Sequence, residues 1–320
     1  MHPTRALLPL LTACDNRCSF CAPAGLPTLA PRALDELALR HDAVTLTGGE
    51  PTLHPELIAV VAAARARGFT RIGIQSNGRR LREPGRAVDL RRAGLTDVHL
   101  SVHGLGPAIH DHHTGVDGSF AEAAAALSAA RAAGLTTVVT TVLTRSNARA
   151  LSALSPWLAA KGVAAWSVAV PRTEGRLRAA FDRVFPRLSM ALPYALHALT
   201  TAQQKGVAAF VRGAPLCVLG PFAARSLIDG PHAFDPTRCQ DCSARPRCPG
   251  VDARYLQRFG GDELSAARAP REAPEPFAGP ERALAGMFVG SGPGGPGEST
   301  VQSLPTGAAR VALPIVREGA

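Results

Sequence analysis

Six short runs of β-branched and aliphatic residues alternate with helical patterns over the first 170 residues, and this alternation constrains the fold more than any other feature of the chain. The runs are Ala6–Leu11, Ala43–Thr47, Arg71–Gln75, Asp97–Val102, Thr136–Leu143 and Ala164–Val170. Between them lie helical patterns at Pro31–His41, Pro55–Arg67, Pro84–Ala93, Phe120–Ala133 and Ala148–Lys161. Pro31, Pro55 and Pro84 suit a first helical turn, Ser119 suits an N-cap, and Gly68, Gly94, Gly134 and Gly162 suit helix stops. Strands that alternate with helices predict an α/β fold with a parallel sheet and with ligand groups at the carboxyl ends of the strands. Periodicity alone leaves two forms open, a partial (β/α)6 barrel and an open Rossmann-like sheet.

The seven cysteines fall into two groups. Cys14, Cys18 and Cys21 form CxxxCxxC directly after the first strand run, and no further Cys or His follows before His41. A closed zinc knot lacks its fourth ligand there. Three thiolates instead suit a cube of four irons in which one iron has no protein ligand and can bind a small molecule. The second group, Cys217, Cys239, Cys242 and Cys248, has the spacing C-x21-C-x2-C-x5-C. Four thiolates can close either a structural zinc site or a second iron–sulfur cluster, and the spacing does not choose between them. The apolar stretch before Cys14 is too short and too close to the cysteines for a signal peptide. Clustered cysteines without an export signal read as metal ligands rather than disulfides, in a cytoplasmic protein. No run of 18 or more apolar residues exists, so no membrane span is expected.

The second strand run ends in Gly48-Gly49-Glu50-Pro51, with 26 residues between Cys21 and Gly48. Paired glycines permit a close approach to the backbone, and Glu50 offers an acceptor to an ammonium group. Together, CxxxCxxC and GGEP resemble the lead motifs of the radical S-adenosylmethionine (radical SAM) superfamily, and the likeness extends over roughly residues 5–250. That resemblance implies the partial (β/α)6 barrel. It implies a 4Fe–4S cluster on Cys14, Cys18 and Cys21, SAM bound at Gly48, Gly49, Glu50 and Pro51, and Phe20 packed near the adenine. It also implies contacts to the SAM ribose and carboxylate from the strand ends, with candidates Ser76, Asn77, Ser101, His103, Arg145 and Asn147. The segment from Cys217 to Cys248 resembles the C-terminal twitch extension, a truncated relative of the SPASM domain. The implied cofactor there is a second 4Fe–4S cluster.

His110-Asp111-His112-His113, in a glycine-flanked segment, has the residue types for a divalent ion. It also resembles a strand-four loop common in radical SAM proteins, which shapes the substrate pocket and caps the next helix. The second reading is preferred, with acid–base duty for His110 or Asp111 left open.

The formal charge is +10, but 33 of the 35 basic residues are arginines scattered without interleaved aromatics, so nucleic acid is not the expected partner. The expected organisation is a barrel core at 1–206, an auxiliary-cluster region at 207–262 and a Pro/Gly-rich mobile tail at 263–320. The implied chemistry is reductive cleavage of SAM to a 5′-deoxyadenosyl radical that takes a hydrogen atom from the substrate. It requires a low-potential electron donor of the flavodoxin or ferredoxin type. The leading substrate is a peptide or protein side chain to be oxidised or crosslinked. The first strand run begins almost at residue 6, so a peptide-leader-binding domain before it is not expected. A carbohydrate, nucleotide or other small metabolite therefore competes, ahead of an RNA-directed role or a catalytically silent scaffold.

Overall fold

A computed structural model describes residues 5–21, 28, 33–227, 233–267, 277 and 279–289. Eight parallel strands lie side by side in chain order: β1 (Arg5–Leu11), β2 (Ala43–Gly48), β3 (Arg71–Ser76), β4 (Asp97–Ser101), β5 (Thr136–Val142), β6 (Ala165–Ala169), β7 (Ala208–Arg212) and β8 (Ser226–Leu227). Strictly sequential order curls the sheet into an open barrel and rules out the Rossmann-like alternative, whose strand order reverses at a switch point. All six expected strands form, and β7 and β8 carry the same sheet past residue 206.

The helices are α1 (Ala33–Ala38), α2 (Leu57–Ala66), α3 (Arg86–Ala93), α4 (Pro107–Thr114), α5 (Ser119–Ala132), α6 (Leu154–Ala160), α7 (Leu177–Val184), α8 (Leu188–Gln204), α9 (Ala253–Phe259) and α10 (Gly279–Phe288). Four departures from the sequence expectation have clear causes. The His110–His113 run is helical, within α4, because it lies between Pro107 at the first turn and Gly115 in a left-handed stop. Ser119 is the first residue of α5 rather than its N-cap, which is Gly118. Pro193, expected with Pro186 to interrupt a helical stretch from Thr173 to Gly206, sits inside α8 without ending it. It lies on the exposed side, while Leu188, Ala191, Leu192, Ala195, Ala198, Leu199 and Ala202 bury the opposite stripe, so packing outweighs the lost amide bond. Part of the expected mobile tail, residues 279–288, forms α10 and packs against the sheet. Pro31 and the stretches 290–299 and 311–316 lie outside the described residues.

Both faces of the sheet are covered, so strands such as β6 (AWSVA) are buried at every position. Among the described residues, one charged pair lies inside. Arg5 on β1 and Asp97 on β4, each under 5% exposed, form a bidentate ion pair at 2.8 and 2.9 Å, and Arg5 also donates to Thr45 on β2 at 2.8 Å. Gly73 on β3 lies beneath the pair, where a Cβ would collide with both the guanidinium and the carboxylate. This ionic tie spans four strands at the amino-terminal end of the barrel, opposite the end that carries the site.

Candidate active site

The loop after β1 carries the first three cysteines and is fastened from three sides. Gly49 and Glu50 donate their amides to Leu11 O (2.6 Å) and Ala13 O (2.8 Å). Arg17 donates its amide to Thr114 O (2.7 Å) and its guanidinium to Gly115 O (2.9 Å). The Arg176 amide donates to Cys21 O at 3.1 Å. The two glycines are required because the loop lies directly on them. A Cβ on Gly49 would strike the Thr12 and Ala13 carbonyl oxygens, and one on Gly48, at φ 124°, would strike Leu11 O. The close approach foreseen at this pair is made by the chain's own cysteine loop. Gly49→Ala is therefore expected to cost about 1–3 kcal/mol in urea unfolding and to lower the iron bound at Cys14, Cys18 and Cys21.

Glu50 is 1% exposed, and its carboxylate joins three elements. Oε1 accepts from the Thr52 amide (3.0 Å), the Thr52 hydroxyl and the Ser76 hydroxyl (2.8 Å), and Oε2 accepts from the Asn77 amide (2.7 Å). Burial pushes its pKa up, and these four bonds oppose that shift. Asn77 in turn reaches Asp15 Oδ1 at 2.7 Å, tying the end of β3 to the cysteine loop.

These residues enclose one cavity at the carboxyl ends of the strands. Of the residues singled out in the sequence, Cys14, Cys18, Phe20, Cys21, Gly48, Gly49, Glu50, Ser76, Asn77, Ser101 and His103 all line it. Pro51, Arg145 and Asn147 do not. Pro51 begins the short 3-10 turn after Glu50. Arg145 is exposed and donates to Asp182 O. Asn147 is fully buried and donates to His103 O and Val142 O, each at 2.9 Å, so it braces the strand ends from behind the wall. The sequence reading missed Asn16, Thr47, Gln75, Thr140, Arg172 and Arg212 in the lining. Thr47 and Gln75 sit one residue before flagged motifs, a signal that was available. Arg212 depended on recognising β7.

The three thiols fit a metal cluster. Burial, reinforced by the nearby charges of Cys21 and Cys14, pushes Cys18 up to about 12. Burial and Cys14 push Cys21 up to about 11, against the opposing charge of Arg176. Burial also raises Cys14, whose sulfur accepts the Asn16 amide at 3.4 Å. Thiols placed so closely become thiolates only with a cation among them, and an amide bonded to sulfur is a common companion of iron–sulfur ligation.

Phe20 stands edge-on to His103, with centroids 4.7 Å apart. His103, His110 and His113 are held neutral, each by burial first. His110 and Asp111 lie behind the cavity lining. The Asp111 carboxylate accepts from Gly118 N (2.8 Å), Ser119 Oγ (2.8 Å) and Phe120 N (2.7 Å), which caps α5. Burial alone would raise its pKa, but these bonds prevail and hold it below 3.8. A depressed carboxylate stabilises the fold above its unfolded pKa of about 4 and loses that contribution as pH falls through the lower folded value. Asp111→Ala should cost about 2–4 kcal/mol at pH 7, with the gap from wild type closing in urea melts below pH 4.

The second cysteine group is anchored beside the cavity. The cavity residues Arg172 and Gly213 adjoin Thr173, whose amide donates to Asp252 Oδ2 at 2.9 Å, and the Cys217 segment. Cys248 Sγ accepts the Leu216 and Gly250 amides, and Cys242 Sγ accepts the Ala267 amide, all at 3.4 Å. Burial raises Cys217 and Cys239, and the charge of Cys248 adds to both. Among the described residues, no three His, Cys, Asp or Glu side chains converge as ligands of a single metal ion.

A sequence profile of the Radical SAM superfamily matches residues 8–150, the stretch that supplies the cysteine loop and the lining from β1 to β5. Residues 8–150 therefore carry a radical SAM domain. Such a domain implies a 4Fe–4S cluster, SAM, a reductant and a substrate. A GTP 3′,8-cyclase of Synechococcus elongatus is 38% identical over 121 residues, which is 34% of this chain and 36% of that protein. A GTP 3′,8-cyclase of Cronobacter sakazakii is 33% identical over 172 residues, covering 49% of this chain and 51% of that protein. The chain thus spans from about a third to half the length of these curated relatives. Among solved structures, Streptococcus suis SuiB superposes with TM-score 0.56 over 75% of this chain and 56% of its own, at 16% identity. At that identity the likeness concerns the radical SAM fold alone. No described helix is long and apolar enough to cross a membrane.

Proposed function

We propose that this chain is a radical SAM enzyme that acts on a small metabolite of the nucleotide class, in place of the peptide side chain that the sequence reading put first. One observation carries the reading: the Cys14, Cys18 and Cys21 thiols line the same cavity as Gly48–Glu50, Ser76, Ser101 and His103. The GTP 3′,8-cyclase relatives support the nucleotide class, since their named substrate is a small metabolite. When bound, the reduced cluster and SAM supply a 5′-deoxyadenosyl radical that removes a hydrogen atom from the substrate. The protein's own part is to hold, orient and enclose. Cys14, Cys18 and Cys21 would hold three corners of the cluster. Gly48–Glu50 and the strand-end residues Ser76, Asn77 and Ser101 would receive SAM, with Phe20 and His103 offering aromatic surface to its adenine. The surrounding wall keeps water from the reacting atoms. Cys217, Cys239, Cys242 and Cys248 would hold a second 4Fe–4S cluster beside the substrate, and a flavodoxin- or ferredoxin-type donor would deliver the electron.

Anaerobic reconstitution is expected to yield about eight irons per chain, falling by about half in Cys239→Ala. With dithionite, SAM should be cleaved, and deuterium from labelled GTP should appear in 5′-deoxyadenosine. Intact SAM under those conditions would overturn the enzyme reading. SAM cleavage with no deuterium from GTP, but with transfer from a labelled peptide, would restore the peptide reading.

A further inference from the structure

Helix α10 lies outside the matched stretch and outside every motif, yet it occupies the concave side of the sheet directly beneath the cavity. The strand register divides the inward positions of β4 to β7 into levels. His99, Val138, Ala165 and Ala208 form one level. Ser101, Thr140, Ser167 and Phe210 lie above it, with Ser101 and Thr140 in the cavity lining, and Val142, Ala169 and Arg212 form a further lining level. Phe288, at the end of α10, is 4% exposed and packs edge-on against His99 at 4.9 Å and beside Phe210 at 5.7 Å. Ala285, 5% exposed, joins the same cluster with Val138, Ala165 and Leu227. The Arg225–Glu281 pair, at 2.6 Å, fastens the first turn of the helix.

Its last turn faces the cavity floor. Arg212 Nη1 donates to the Phe288 carbonyl at 3.0 Å. Carbonyls of a helix's last turn have no partner within the helix and carry the negative end of its dipole, so they attract and orient a guanidinium. His99, which would compete as a cation, is held neutral by burial, with the charges of Arg212 and Arg5 adding to that, at a pKa of about 3. On the same inward face, Ser167 Oγ is buried without a hydrogen-bond partner among the described residues.

We infer that α10 is part of the binding site: it closes the floor of the barrel and, through the Phe288 carbonyl, orients Arg212 to receive an oxyanion of the bound ligand. Arg212 is the receptor and α10 its positioning element. A guanidinium fork matches the paired oxygens of a phosphate or a carboxylate, so the oxyanion comes from a nucleotide substrate or from the methionine end of SAM. The inference rests on the cavity being the substrate site proposed above.

Calorimetric titration of the full-length reconstituted protein, with pyrophosphate in one arm and SAM in the other, tests it. Arg212→Met should weaken one probe by about 30-fold, with Arg212→Lys in between. A loss for pyrophosphate assigns the substrate phosphate, and a loss for SAM assigns its carboxylate. Ala285→Glu, which lifts α10 from below without touching the cavity, should weaken the same probe and add nothing in the Arg212→Met background. Phe288→Leu keeps the helix apolar and replaces Ala285→Glu in this comparison if the latter lowers the iron content or the melting temperature. Unchanged affinity for both probes in Arg212→Met would overturn the proposal. So would an α10 substitution that costs as much in the Arg212→Met background as alone. Absence of dithionite-dependent SAM cleavage in the wild type would defeat the enzyme reading separately, and the pyrophosphate arm would still report on the floor.

Discussion

Cys18→Ala is expected to abolish dithionite-driven SAM cleavage, with residual activity below about one hundredth of wild type. Loss of a residue that only supports a metal ligand costs about 10–100-fold, and loss of a ligand itself exceeds that. Cys18 has the strongest upward shift of the three thiols, to about 12, because it is buried between Cys21 and Cys14. It is therefore the thiol that depends most on a bound cation to ionise. Its backbone also anchors the loop, since Cys18 O accepts the Cys21 amide at 3.2 Å. An alanine there keeps that amide bond and removes only the sulfur. The global unfolding midpoint should move little, while the iron assigned to this site is lost and that assigned to Cys217–Cys248 stays. Wild-type SAM cleavage in Cys18→Ala, measured as 5′-deoxyadenosine formed, would defeat the assignment.

Asp97→Ala should have the largest effect on stability, about 3–5 kcal/mol in denaturant unfolding, because it leaves the Arg5 guanidinium buried without its counter-charge. Domain stabilities are about 5–15 kcal/mol in total, so this one change removes a large share. The pair is 2–4% exposed, bidentate, and braced by Thr45 and by the Thr96 hydroxyl, which donates to Asp97 Oδ2 at 2.8 Å. Joint replacement, Arg5→Met with Asp97→Leu, should recover most of the loss, since no charge is then stranded. A double variant as unstable as Asp97→Ala alone would show that the pair itself, and not the uncompensated charge, supplies the stability.

The strands of the first half were legible because buried parallel strands are short, apolar and β-branched, and each observed strand from β1 to β6 lies within one residue of its expected bounds. What escaped notice shares a different trait. β7 (AAFVR) is alanine-rich and α10 (GPERALAGMF) lies in a Pro/Gly-rich context, so neither has a strong pattern of its own. Each is held by what it packs on, with Phe210 meeting both Phe277 and Phe288. Helix α4 was hidden by the polar run His110–His113, three of whose four residues, His110, Asp111 and His113, are buried.

The site divides along the same line. Cysteine spacing and GGEP identify the loop that can hold a cluster and the strand end that receives it, because those contacts are local in sequence and need particular residue types. The glycines' close neighbour, the Leu11–Ala13 backbone, and the Ser76 and Asn77 bonds to Glu50 come from segments about 26 to 37 residues away in the chain, which no spacing rule reports. Arg145, at a strand end of the expected type, is instead drawn outward to Asp182 O. Arg212, on a strand without a strong signature, is brought into the lining. Sequence by itself determined which thiols are grouped as candidate cluster ligands and the alternating architecture, since both follow from short-range composition. Tertiary structure decided which strand-end side chains face the cavity and what closes its floor, because those depend on the curl of the sheet and on where a distant helix finds apolar surface to bury.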